Sequence, residues 1–268
     1  MSERLFPDRD HPGAFWVRFG LTSQSWVDPA RADLLAFEYV QHIAMALDHT
    51  VLDTDPAQRL RVVHIGGAGM SLPRWVAWRR PGTAQVVCEP DVELTEEVRR
   101  KIPLPARSGI KVRDVDGRAG LAAMAADWAD VIIVDAFDGA QVPGELATAE
   151  SLEQLRRVAR GPAVVIFNVT DRAPFDWAKR LAGGLAAQWR HLLIGMEPVV
   201  AKGRRFGNLV MVASDARPDV AGIERESARL TIGYRWITGA QARGWSGGAE
   251  PMVDGAAEPS PGPAGRGW

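Results

Sequence analysis

Residues 61–77, RVVHIGGAGMSLPRWVA, pass from a β-branched apolar run through Gly66, Gly67 and Gly69 into a segment opened by Ser71 and Pro73. A continuous apolar run suits a strand buried on both faces, and a proline near the first helical turn suits a helix start. Strand, glycine turn and helix in that order form the first unit of an open α/β sheet. Glycine lets such a turn approach a ligand closely and aim amide N–H groups at it. A tight strand-to-helix turn also wants glycine for conformational reasons alone, so both readings of the loop stay open on these residues.

Further apolar runs lie at 85–88, 111–115, 131–135, 163–169, 191–196 and 208–213. Runs such as VIIVD and AVVIFNV suit parallel strands, and each of the first five of the seven is followed by a turn and a helical stretch. The pattern predicts a doubly wound, Rossmann-like α/β fold. Its seven-stranded sheet is expected to be mostly parallel with an antiparallel last strand, because no clear helix lies in the segment AKGRRFG before the final run. A helix is expected over 31–47, with Asp28 and Pro29 as its start signals. The chain divides into an arm and helix at 1–55, a Rossmann-like core at 56–245 and a flexible tail at 246–268. The tail is rich in Gly, Pro, Ala and Ser, a composition that buries too little apolar surface to offset its ordering entropy. Met252 and Val253 could anchor its start. The arm, through Gly13, is expected to be mobile.

The chain has 268 residues, with 32 Lys and Arg against 33 Asp and Glu. The resulting net charge of −1 gives no global reason to expect a nucleic acid or a membrane as partner. One cysteine, Cys88, excludes an internal disulfide and agrees with a reducing compartment, and no leader-like or membrane-spanning run is found, so a cytoplasmic location is expected. The five histidines show no metal-ligand spacing, no metal is expected, and His64 reads as a core residue. Arg204 and Arg205 read as solvated residues between the last two strands.

Acidic residues gather where strands end. Glu89 follows the second strand about 20 residues after the glycines, the place from which an acid accepts ribose hydroxyls; the alternative is that it merely begins a helix capped by Asp91. Asp116, followed by Gly117, could meet an adenine amino group or simply cap the next helix. Asp135 ends the fourth strand and Asp138 lies three residues on. Two carboxylates there could hold a cation, orient an amine or accept a proton, or could stabilise a strand-end turn.

Taken in order, TSQSWVD, FEYV, IGGAGMSLPRW, VDAFDGAQVPGEL and RRFGNLVMVASD resemble the spermidine synthase family, the polyamine aminopropyltransferases, over about residues 20–213. The match looks closest to short bacterial spermidine synthase-like proteins. The resemblance implies the fold of S-adenosylmethionine-dependent methyltransferases. It implies no tightly bound cofactor, with decarboxylated S-adenosylmethionine, or S-adenosylmethionine itself, as co-substrate. It assigns Gly66, Gly67, Ala68 and Gly69 to the nucleoside loop, Glu89 to the ribose, Asp116 and Gly117 to the adenine, and Asp135 to catalysis. Gln24, Glu38, Tyr39 and Asp138 would bind the sulfonium substrate and the amine. The partners it implies are small nucleosides and amines; a homodimer is left open. The sequence departs from the family where Gly69 replaces the loop aspartate that recognises the aminopropyl ammonium. The N-terminal strand-rich domain also looks truncated. A methyltransferase and a non-catalytic nucleoside-binding protein of the same fold are the alternatives.

Overall fold

The computed structural model describes residues 3–20 and 22–263. Its centre is an eight-stranded sheet made of β4 (Arg61–Ile65), β5 (Ala84–Cys88), β6 (Ile110–Arg113), β7 (Ala129–Val134), β8 (Ala159–Asp171), β9 (His191–Met196), β10 (Gly207–Ser214) and β11 (Arg235–Ile237), in the order β11-β9-β10-β8-β7-β4-β5-β6. Strands β4 to β8 run parallel, and β10 pairs antiparallel with both β8 and β9. The α/β class, the mostly parallel sheet and the antiparallel strand near its end are as expected. The count of seven was one short, because β11 is only three residues long, too brief for a periodicity signal. A separate antiparallel sheet of β1 (Leu5–Pro7), β2 (Phe15–Phe19) and β3 (Thr22–Val27) packs beside the glycine loop.

Alternation along the buried strands sends side chains to two cores. Val131 and Ile133 of β7 pack with α1 (Glu38–Leu47), α2 (Ser71–Arg79) and α8 (Val220–Ser227). Ile132 and Val134 pack with α5 (Ala149–Val158) and α6 (Asp176–Gln188) on the other face. Covering both faces leaves the strands' carboxyl ends as the natural place for a cleft.

Three expectations are corrected. The early helix begins at Glu38, not near Arg31, because the Asp28 carboxylate accepts the Ala30 and Arg31 N–H groups in a turn (2.9 and 3.2 Å) instead of capping a helix. The N-terminal arm is held: Leu5 is buried, β1 pairs with β2, and Arg4 pairs with Asp91. The segment 246–263, expected to be flexible, lies docked across the domain, with Met252 and Ser260 buried and Met252 bridging to Thr148; residues 264–268 lie outside the described residues. Composition misjudged it because its few anchoring residues find partners made by distant parts of the fold. No described helix is long and apolar enough to cross a membrane.

Candidate functional site

At the carboxyl edge of β4, β5 and β7 lies a cavity of about 580 Å³. The loop after β4 forms its floor. Gly66 adopts φ +90°, and a Cβ there would stand 2.2 Å from the Asp135 carbonyl oxygen, so this glycine is required by the approach of two strand ends. Ala68 and Met70 also lie in the left-handed region, at φ 39° and 63°, conformations that cost non-glycine residues energy and gather at functional sites.

Glu89, from the end of β5, holds that loop. One carboxylate oxygen accepts the N–H groups of Gly67 and Ala68 (2.9 and 3.0 Å), and the other accepts the Asp91 N–H (3.0 Å). A carboxylate offers about four lone-pair positions, so Glu89 keeps capacity for a ligand hydroxyl. Asp91 is the cap of α3 (Val92–Lys101), and Asp116 caps α4 (Gly117–Ala122) through the Ala119 N–H (2.8 Å) while lining the cavity. Gly117 also fits the wall closely: a Cβ there would lie 2.4 Å from Ile65.

Asp135 follows β7 in a water-poor wall. Asn168 of β8 donates its side-chain amide to the carboxylate (2.9 Å), yet burial outweighs that bond and pushes the Asp135 pKa up to about 6. The Asn168 carbonyl oxygen is itself buried with no hydrogen-bond partner. Burial, and then the charge of Asp135, raise the Tyr39 hydroxyl well above its ordinary range, so Tyr39 keeps its proton and stays a neutral hydroxyl able to donate a hydrogen bond. His64 lines the floor, donates its Nε2–H to the Gln85 side-chain oxygen (2.8 Å), and is lowered to about 4 by burial, hence neutral. Gln24 donates to the Gly139 carbonyl (2.8 Å), joining β3 to the loop that carries Asp138.

Gln24, Tyr39, Gly66, Gly67, Ala68, Glu89, Asp116, Gly117, Asp135 and Asp138 thus all line one cavity. Glu38 and Gly69 do not. Glu38 opens α1 behind Tyr39, where its charge bears on Tyr39 and Tyr234. Gly69 faces the N-terminal sheet: a Cβ there would lie 2.8 Å from the Ser25 hydroxyl and from Val27, leaving no room for an aspartate aimed at the cavity. Sequence reading missed Asn168, hidden inside an apolar strand, and Arg118. The latter is the lone Lys or Arg among the described lining residues, against the carboxylates of Glu89, Asp91, Asp116, Asp135, Asp138 and Glu145. It is held by Asp254 through two parallel bonds (3.1 and 2.6 Å). Arg205 donates to Glu197 (2.5 Å) and lies outside the lining. No group of three or more metal-ligating side chains is present among the described residues.

No family model and no curated protein sequence matches the chain. Solved structures do. A probable spermidine synthase from Corynebacterium glutamicum superposes with TM-score 0.88 at 25% identity, over 94% of this chain and 93% of that one. A spermidine synthase from Thermotoga maritima gives 0.56 at 16% identity, over 84% and 73%. Human methyltransferase-like protein 13, in complex with SAH, gives 0.56 at 18%, over 75% and 96%. The chain has the α/β fold shared by spermidine synthases and methyltransferase-fold proteins, and its neighbours are transferases.

Proposed function

We propose that the protein transfers an aminopropyl group from decarboxylated S-adenosylmethionine to an amine. The observation that carries this reading is the charge of the cavity: among the described residues six carboxylates line it, and the one guanidinium is tied to Asp254 at the rim. Such a wall attracts a cationic sulfonium and an ammonium and disfavours a ligand carboxylate. The glycine loop, Glu89 and Asp116 would hold the nucleoside. The amine would lie toward Tyr39, Asp135 and Asp138.

In the reaction the amine nitrogen attacks the methylene carbon bound to the sulfonium. The C–S bond breaks, its electron pair stays on sulfur, and methylthioadenosine leaves. An aliphatic ammonium, with a pKa of about 10.4, must first lose a proton. Asp135 is the base: its raised pKa makes it a better proton acceptor than an ordinary carboxylate while leaving it ionised at pH 7. Much of the acceleration would come from orienting two substrates in one enclosed site.

One observation favours a second reading, methyl transfer from intact S-adenosylmethionine: the packing of Gly69 removes the loop acid that would anchor an aminopropyl ammonium. The two are separated by incubating the protein with decarboxylated S-adenosylmethionine and a panel of di- and polyamines. Release of methylthioadenosine is expected. If no amine is consumed and intact S-adenosylmethionine binds more tightly than its decarboxylated form, the methyltransferase reading replaces ours.

A further inference from the structure

The loop that carries Asp138 is short of partners of its own. Within it, Asp138 and Gln141 exchange backbone bonds across a turn (2.9 and 3.1 Å). Its remaining hold comes from elsewhere in the chain, much of it from the docked C-terminal segment. Ser260 is fully buried, and its hydroxyl accepts the Val142 N–H (2.8 Å). The Ser260 N–H donates to the Val142 carbonyl (2.9 Å), and the Gln141 side-chain amide donates to the Ser260 carbonyl (2.5 Å). Thr170 of β8 completes the knot, donating to the Ala140 carbonyl (3.1 Å) with its oxygen 3.2 Å from the Ser260 hydroxyl.

Thr170 and Asn168 are two residues apart on β8, and side chains so spaced share a face of a strand. Asn168 holds the Asp135 carboxylate, while Thr170, with Ser260, holds the loop five to seven residues further on. The same segment is anchored before Ser260. The Trp177 indole donates to the Glu258 carbonyl (2.8 Å), and Asp254 pairs with Arg118 at the cavity rim. Gly144, just past the loop, lies so close to the segment that a Cβ would stand 2.3 Å from the Glu258 carbonyl oxygen.

We infer that the C-terminal segment is a working part of the site, with Ser260 as a positioning residue that sets the loop bearing Asp138 relative to Asp135. A surface loop tied only by its own turn would sample several placements of Asp138, and small misplacements of a group that orients a substrate are costly in rate. Satisfying both backbone groups of Val142 from one buried serine removes that freedom. The inference rests on the aminopropyl reading in taking Asp138 as a contact for the amine.

The test compares full-length wild type with Ser260→Ala. Three readouts are taken: hydrogen exchange at the Val142 amide, calorimetric affinity for methylthioadenosine, and steady-state aminopropyl transfer. Exchange at Val142 should quicken by about five- to tenfold, the equivalent of losing one hydrogen bond. Methylthioadenosine affinity should stay within about twofold, since Ser260 touches no nucleoside wall, while kcat falls by about tenfold or more. Gln141→Ala, which removes a single bond to the Ser260 carbonyl, should show the same pattern more weakly and serves if Ser260→Ala does not fold. Unchanged Val142 exchange, or quickened exchange with unchanged kcat, overturns the inference. If wild type transfers nothing to any amine, the aminopropyl reading fails separately. The positioning role is then judged on exchange alone, and a Val142 amide indifferent to Ser260→Ala overturns it.

Discussion

Two loops meet at Asp135, and they are built by opposite means. The glycine loop after β4 is a local object: its backbone shape follows from residues 66–70, and its amides are held by Glu89 at the end of the neighbouring strand β5. The loop after β7 is a long-range object, tied by Gln24 from 115 residues upstream of Gly139 and by Ser260 from 118 residues downstream of Val142. A loop of the first kind is written into its own sequence. The second kind exists only once both ends of the chain have arrived.

The sharpest test of this contrast falls on the residue between them. Asp135→Asn should lower aminopropyl transfer by about 10²–10⁴-fold, the usual contribution of a general base, while methylthioadenosine affinity holds, because the amide keeps the shape but takes up no proton. The pH dependence carries a sign. Burial raises the folded pKa of Asp135 to about 6, above the ordinary 3.8, so its favourable contribution is complete below pH 4 and is lost as pH rises through 6. Asp135→Asn should therefore be more stable than wild type at pH 8, by up to about 3 kcal/mol, and should lose that advantage by pH 4; denaturant melts at both pH values measure it. Wild-type activity should climb as pH rises through about 6. A variant no more stable at pH 8 would mean that Asp135 is not desolvated.

Gly66→Ala strikes where the two loops touch. The added Cβ would meet the Asp135 carbonyl oxygen in a backbone conformation that alanine resists, so a loss of about 3 kcal/mol or more is expected in urea unfolding, with both loops disturbed. A change below about 1 kcal/mol would show that the loops are not wedged together.

Glu89→Ala should weaken methylthioadenosine binding by about 1.5–3 kcal/mol, the scale of hydrogen bonds to a charged group. Removing the carboxylate also frees the Gly67 and Ala68 amides, so exchange at those two amides should quicken together. Full affinity in a folded variant would take Glu89 out of the nucleoside half.

The smallest effect is expected from Gln24→Ala. It deletes one bond to the Gly139 carbonyl at an exposed edge, worth about 0.5–1.5 kcal/mol, and should raise the KM for the amine more than that for the nucleoside. Equal changes in both would place Gln24 in general packing instead.

Much of the fold and part of the candidate site were legible without coordinates. The apolar runs at 61–65, 131–135 and 163–169 announced buried strands because a strand covered on both faces has no use for alternation. Glu89, Asp116 and Asp135 could be picked out because Glu89 and Asp135 directly follow β5 and β7 and Asp116 comes three residues after β6, at the edge where open α/β sheets bind ligands. Only the tertiary structure decided the rest. Asn168 looks like one polar residue in an apolar strand until β8 is laid beside β7 and its amide meets Asp135. Gly69 looks like a lost acid until β3 is packed against it and the space for that acid is gone. The segment ending at Ser260 looks like solvated linker until Val142, Gln141 and Thr170 supply the partners its own composition lacks. Period, glycine and strand-end acidity are properties of neighbours in the chain and can be read there. A hydrogen bond between residues a hundred positions apart leaves no mark on either until folding has met the entropic cost of bringing them together.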